Sequence, residues 1–141
     1  MKAWASAIGS KLRGGEFIDL IGDIGAGKTT FTKGLATGLG ITDTVQSPTF
    51  TISRIYDGRD GLRLAHYDFY RLADSGIMAD ELSETLGDEK TITVIEWGDV
   101  VSDVRPADHL RIVITSPSET ARHVELSAHG ERSKSLLEQL K

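Results

Sequence analysis

Gly22-Asp23-Ile24-Gly25-Ala26-Gly27-Lys28-Thr29 is a complete G-x-x-x-x-G-K-[ST] loop, the pattern called a P-loop. Its flanks supply the setting such a loop requires. Upstream, Glu16–Ile21 (E-F-I-D-L-I) is a short apolar run that reads as a buried strand. Downstream, Phe31, Leu35 and Leu39 recur at helical spacing over 29–39, and Gly40 stands ready to cap the helix. Each residue type has a reason to be there. Glycines permit positive φ and leave no Cβ between the backbone amides and an incoming phosphate. Those amides and the following helix N-terminus together favour a polyanion. Lys28 adds a point charge able to reach β- and γ-phosphates, and the Thr29 hydroxyl is a ligand for Mg²⁺.

Outward from the loop, periodicity predicts a helix over 3–12, stopped by Gly14-Gly15. Thr49–Tyr56 and Leu62–Tyr67 read as strands of a hairpin turned by Asp57-Gly58-Arg59-Asp60-Gly61. A short acidic helix follows over 75–86, with Ile77, Leu82 and Leu86 as its apolar residues. Thr91–Ile95, His109–Thr115 and His123–Ser127 read as strands, and Glu131–Lys141 as a closing amphipathic helix. Strand–helix units mixed with hairpins predict an α/β three-layer P-loop NTPase-like fold with a mixed parallel/antiparallel sheet.

Composition narrows the possibilities further. At 141 residues, 39% hydrophobic and 26% charged, residues 1–141 read as a single domain with one core. Sixteen basic residues against 21 acidic ones give a net charge of −5. That balance opposes non-specific binding to nucleic acid or anionic membrane. The absence of cysteine removes disulfides, thiol catalysis and Cys-ligated metals, and no apolar run is long enough for a transmembrane helix. A cytoplasmic protein is the expectation. Guanine-reading P-loop proteins carry an N/T-K-x-D loop, and this chain has no asparagine and no matching segment, which favours adenine nucleotide.

A P-loop needs a carboxylate on the metal side, and Glu96, directly after the apolar strand Thr91–Ile95, is the candidate. Trp97 beside it reads either as core, the commoner fate of a lone Trp, or as an aromatic wall by the nucleotide. Val45-Gln46-Ser47-Pro48-Thr49-Phe50 occupies the place of a γ-phosphate-sensing loop, although Ser-Pro-Thr is also an ordinary turn. His66-Tyr67-Asp68-Phe69-Tyr70-Arg71 gathers ionisable groups at a strand end, which suits either a solvated end or a site.

Together these segments resemble the TsaE (YjeE) family of bacterial P-loop ATPases. The resemblance rests on G-D-I-G-A-G-K-T-T (Gly22–Thr30), Ser47-Pro48-Thr49-Phe50, His66-Tyr67-Asp68-Phe69-Tyr70-Arg71 and Val94-Ile95-Glu96-Trp97, in family order over about residues 4 to 130. It implies Mg·ATP as ligand and a supporting role in making threonylcarbamoyladenosine at position 37 of tRNA. It also implies partnership with TsaB and TsaD and weak ATPase activity alone, and the net charge of −5 adds the expectation that tRNA is reached only through those partners. By position, Gly25, Ala26, Gly27, Lys28, Thr29 and Thr30 would wrap the phosphates, and Thr29 and Glu96 would hold Mg²⁺. Thr49 would face the γ-phosphate, Asp68 would position the attacking water, and Arg122 would lie near the adenine. Catalysis would thus fall to Lys28, Asp68 and Glu96, with Arg71 the nearest arginine able to act as a finger.

Family members carry roughly a dozen residues ahead of the position of Met1, forming an edge strand that touches the base. Here Trp4 already aligns within the first helix, so either the true start lies upstream, the sequence is trimmed, or part of the adenine pocket is missing. Two rival readings remain. One is a nucleotide-gated adaptor in which hydrolysis serves only release from the partners. The other is a small-molecule kinase, for which 141 residues leave little room for a lid or acceptor pocket.

Overall fold

A computed structural model describes residues 2–22, 27–45, 53–69, 76–97 and 105–140, with side chains from residue 80 onward in the third helix. In chain order the elements are α1 (Lys2–Lys11), β1 (Phe17–Ile21), α2 (Lys28–Gly38), β2 (Ser53–Asp57), β3 (Arg63–Asp68) and α3 (Gly76–Leu86). They continue with β4 (Thr91–Glu96), β5 (His109–Thr115), β6 (His123–His129) and α4 (Glu131–Gln139). The strands form one six-stranded sheet in the order β2-β3-β4-β1-β5-β6. The four central strands β3, β4, β1 and β5 are mutually parallel, and β2 and β6 close the edges antiparallel. The mixed sheet predicted from strand–helix units and hairpins is therefore what forms.

The pleat sorts the chain into two apolar layers. Ile18 and Leu20 of β1, Leu64 of β3, Ile92 and Val94 of β4, and Leu110, Ile112 and Ile114 of β5 pack with α1, α2 and α4 on one face. The opposite face holds a smaller cluster, with Phe17, Ala65, Tyr67, Phe69 and Ile95 against Leu82 of α3. Alternation in β3 thus sends neighbours to different layers. Tyr67 turns to α3, where its hydroxyl pairs with the Thr85 hydroxyl at 2.7 Å, and burial pushes its pKa up. His66 and Asp68 share the face of Leu64.

α1 and α2 approach unusually closely because small residues line the seam. Ala5 and Gly9 on α1 meet Gly34 and Gly38 on α2, each pair one turn apart. A Cβ at Gly38 would stand 2.1 Å from the Ser6 carbonyl oxygen, and one at Gly34 would stand 2.4 Å from that of Lys2. Trp4 and Phe31 seal the same seam with ring centroids 5.9 Å apart. At the other end of the chain, Asp108 caps α4 from a distance. Its carboxylate accepts the backbone N–H groups of Arg132 (2.8 Å) and Ser133 (3.0 Å) and the Ser133 hydroxyl (2.6 Å). Gly130 (φ 93°) makes room for it, since a Cβ there would lie 2.5 Å from the Asp108 carboxyl carbon.

Two outcomes follow from this packing. Ala is favoured over Gly inside a helix by about 1 kcal/mol, whereas forcing a methyl into backbone costs about 1–3 kcal/mol. Gly38→Ala should therefore be net destabilising in urea unfolding; a neutral or stabilised variant would show that the helices separate freely. Asp108→Ala should cost about 1 kcal/mol at neutral pH, the usual worth of a lost cap. Burial alone would raise the Asp108 pKa, but the Ser133 hydroxyl and the two backbone N–H groups hold it below the ordinary carboxylate value. The folded carboxyl then ionises more readily than the unfolded one. Its contribution is complete above about pH 4 and fades as pH falls through the lower folded value. The gap between wild type and Asp108→Ala, measured by unfolding at successive pH values, should close in acid.

Candidate functional site

The parallel register brings three strand ends to one edge. Glu96, the last residue of β4, lies beside Asp68 of β3 on one side and Leu20 of β1 on the other. The chain leaves β1 at this same edge, one residue before Gly22, and Gly27 stands directly before α2. Gly27 sits in the left-handed region (φ 104°) that L side chains disfavour, and its carbonyl accepts the Phe31 N–H at 2.9 Å to close the first turn of α2. This backbone conformation places Lys28 at the first position of the helix, and the lysine is only 6% exposed.

The Lys28 ammonium is held by three groups that all belong to the strand edge. Nζ donates to the Gly22 carbonyl at 2.6 Å, stands 3.8 Å from Glu96 Oε1, and lies 4.3 Å from the centroid of the Trp97 ring. Trp97 is thus not core. It is 37% exposed, adopts φ 58°, and turns its ring beneath the lysine. A bulky residue in that region is backbone strain retained at a site. Glu96 is 3% exposed, and its second oxygen, Oε2, accepts from His66 Nε2 at 2.5 Å.

Of the residues singled out from the sequence, Lys28, Glu96 and Asp68 converge at this edge, with Thr29 and Thr30 in the first turn of α2 behind the lysine. Asp68 is 5% exposed, so the His66–Asp68 stretch is a buried strand and not a solvated strand end. Tyr67 belongs to the opposite layer. Arg122 is exposed in the β5–β6 connection, with its guanidinium donating to the carbonyls of Ser118, Glu119 and Ala121 in its own turn. Gly25, Ala26, Thr49 and Arg71 lie outside the described residues.

Two pairings were not read from the sequence. The first is His66 with Glu96, although strand alternation (Leu64, His66, Asp68) does put the imidazole on the face of the loop. The second is Asp19 with Arg105 (2.9 Å), which neutralises a carboxylate otherwise buried in the middle of β1. A separation of 86 residues left no local signal for it.

The donor set suits a hard cation bound together with phosphate. Among the described residues no three His, Asp or Glu side chains form a cage by themselves. Mg²⁺ characteristically takes only one or two protein oxygens and leaves its remaining positions to phosphate and water. Glu96 and the Thr29 hydroxyl are oxygen donors of that kind.

Comparison with known proteins identifies the family. The family model for "Threonylcarbamoyl adenosine biosynthesis protein TsaE" matches residues 1–124. The TsaE protein of Bacillus subtilis is 41% identical over 145 residues, covering 99% of this chain and 86% of its own length. The TsaE protein of Streptomyces coelicolor is 34% identical, covering 94% and 93%. The crystal structure of Bacillus YdiB superposes with a TM-score of 0.80 at 38% identity, covering 99% of this chain and 85% of that one. Family model, relatives and superposition agree: the chain belongs to the TsaE family of threonylcarbamoyladenosine biosynthesis proteins.

Proposed function

We propose that this chain binds and hydrolyses ATP with Mg²⁺ and thereby supports N6-threonylcarbamoyladenosine formation at A37 of tRNA, acting with TsaB and TsaD. The observation that carries the reading is the convergence of Lys28, at the N-terminus of α2, with the buried Glu96 and Asp68 at the carboxyl edge of parallel strands. Ligands of parallel α/β sheets bind at this edge, and the names of the relatives supply the pathway. Because tRNA is the molecule finally modified, the place of action is the cytoplasm. The acidic balance of 21 carboxylates against 16 basic residues favours tRNA contact through partners.

Chemically, the chain's own groups work by position and charge. The loop amides and the α2 N-terminus cradle the phosphates, and Lys28 reaches toward the transferring γ-phosphoryl. Glu96 and Thr29 would hold the metal. Mg²⁺ held there would supply charge neutralisation for the phosphates. Asp68 lies next to Glu96 in register, and in this reading it would orient the attacking water.

Lys28→Ala should weaken ATP binding about 10–100-fold by calorimetry, the equivalent of one lost charge-assisted contact. Wild-type affinity and turnover in that variant would overturn the reading. Glu96→Ala should flatten the Mg²⁺ dependence of ATP binding, and an unchanged Mg²⁺ titration would remove it as a ligand. Asp68→Ala should bind ATP but not sustain repeated tRNA modification in a reconstituted system with both partners. If that variant still sustains repeated modification, nucleotide-gated docking, and not hydrolysis, drives the cycle.

A further inference from the structure

His66 is fully buried in β3, two register pairs before the strand ends that form the site. Its ring meets Glu96 edge-on, with Nε2 2.5 Å from Oε2. Against a carboxylate, which accepts, Nε2 is the donor. Nδ1 is buried with no hydrogen-bond partner among the described residues. A residue selected only to fill this slot would leave no polar atom unpaired, since burying one is unfavourable. The imidazole is therefore explained by what Nε2 does. It occupies Oε2 and turns the other oxygen, Oε1, toward Lys28 at 3.8 Å.

We infer that His66 is a positioning residue, and that its Nε2–H fixes the Glu96 carboxylate so that Oε1 alone is presented to the metal and phosphate side. This deepens the Mg·ATP reading and rests on it. A carboxylate rotating freely about its last bond would offer either oxygen. Pinning Oε2 leaves Oε1 as the one that faces the ammonium. Hydrogen bonds to a metal ligand from outside the coordination sphere characteristically alter metal affinity about 10–100-fold.

The test uses two amides that divide the imidazole. The Gln Nε2 reaches the position of the His Nε2, whereas the Asn Nδ2 stops at the position of Nδ1. Binding of ATP and ADP to the full chain is measured by calorimetry across a Mg²⁺ titration and again in EDTA. Melting without metal or nucleotide checks that each variant is folded. His66→Asn should raise the Mg²⁺ needed for half-maximal ATP binding about 10-fold while leaving affinity in EDTA within about 3-fold, and His66→Gln should restore the wild-type titration.

In a Glu96→Ala background, His66→Asn should have no further effect on the Mg²⁺ dependence. Equal impairment of the Asn and Gln variants, an unchanged titration in the Asn variant, or additive effects with Glu96→Ala would each overturn the assignment. Should the Asn variant fail to fold, a folded Gln variant with a wild-type titration supports it, and one shifted 10-fold or more overturns it. Wild-type protein that binds ATP without any Mg²⁺ dependence would overturn the metal reading itself, a result distinct from failure of the His66 variants alone.

Discussion

A carboxylate at 3% exposure must be compensated by its neighbours, and the manner in which Glu96 is compensated organises this end of the molecule. One oxygen takes a hydrogen bond from His66 and the other faces Lys28. The lysine also leans on Gly22 and Trp97, so its charge is shared among groups that a phosphate could supplement or displace. None of these residues is adjacent in sequence except Glu96 and Trp97. What assembles them is the parallel pairing of β3, β4 and β1, whose ends fall level because the register runs unbroken from Arg63↔Thr91 to Asp68↔Glu96.

The position of Lys28 depends in turn on packing far from any ligand. α2 lies where it does because glycines let its backbone and that of α1 come nearly into contact. Side chains at those positions would lift α2 off α1 and carry its N-terminus, with the lysine, relative to the strand edge. The glycine seam and the P-loop thus belong to one mechanical problem. A binding site made of backbone amides is only as well placed as the helix that follows it.

Much of the fold was legible locally. β1 and α2 announce themselves through an apolar run and a helical repeat, and the Asp57–Gly61 turn is supported by φ values of 57° at Asp60 and 75° at Gly61. Element ends shifted by a residue or two, as when the last strand ran on from Ser127 to His129. The site was partly legible. Lys28 and Glu96 carry spacing signals, and strand alternation separates Tyr67 from His66 and Asp68, but which layer each face meets was decided by the fold. Trp97 was ambiguous because exposure belongs to the surroundings of a residue and not to its type.

The sequence by itself determined that a G-x-x-x-x-G-K-[ST] segment lies between a buried strand and a helix, that the sheet is mixed, and that thiol chemistry is absent. Those are local properties: loop composition, periodicity and residue inventory. Only the tertiary structure decided which oxygen of Glu96 meets which partner, that His66 and not solvent answers its charge, and that Arg105 neutralises Asp19 across 86 residues. Such pairings follow from strand order and register, which are fixed by the burial of two apolar layers at once and leave no trace at the level of short sequence windows.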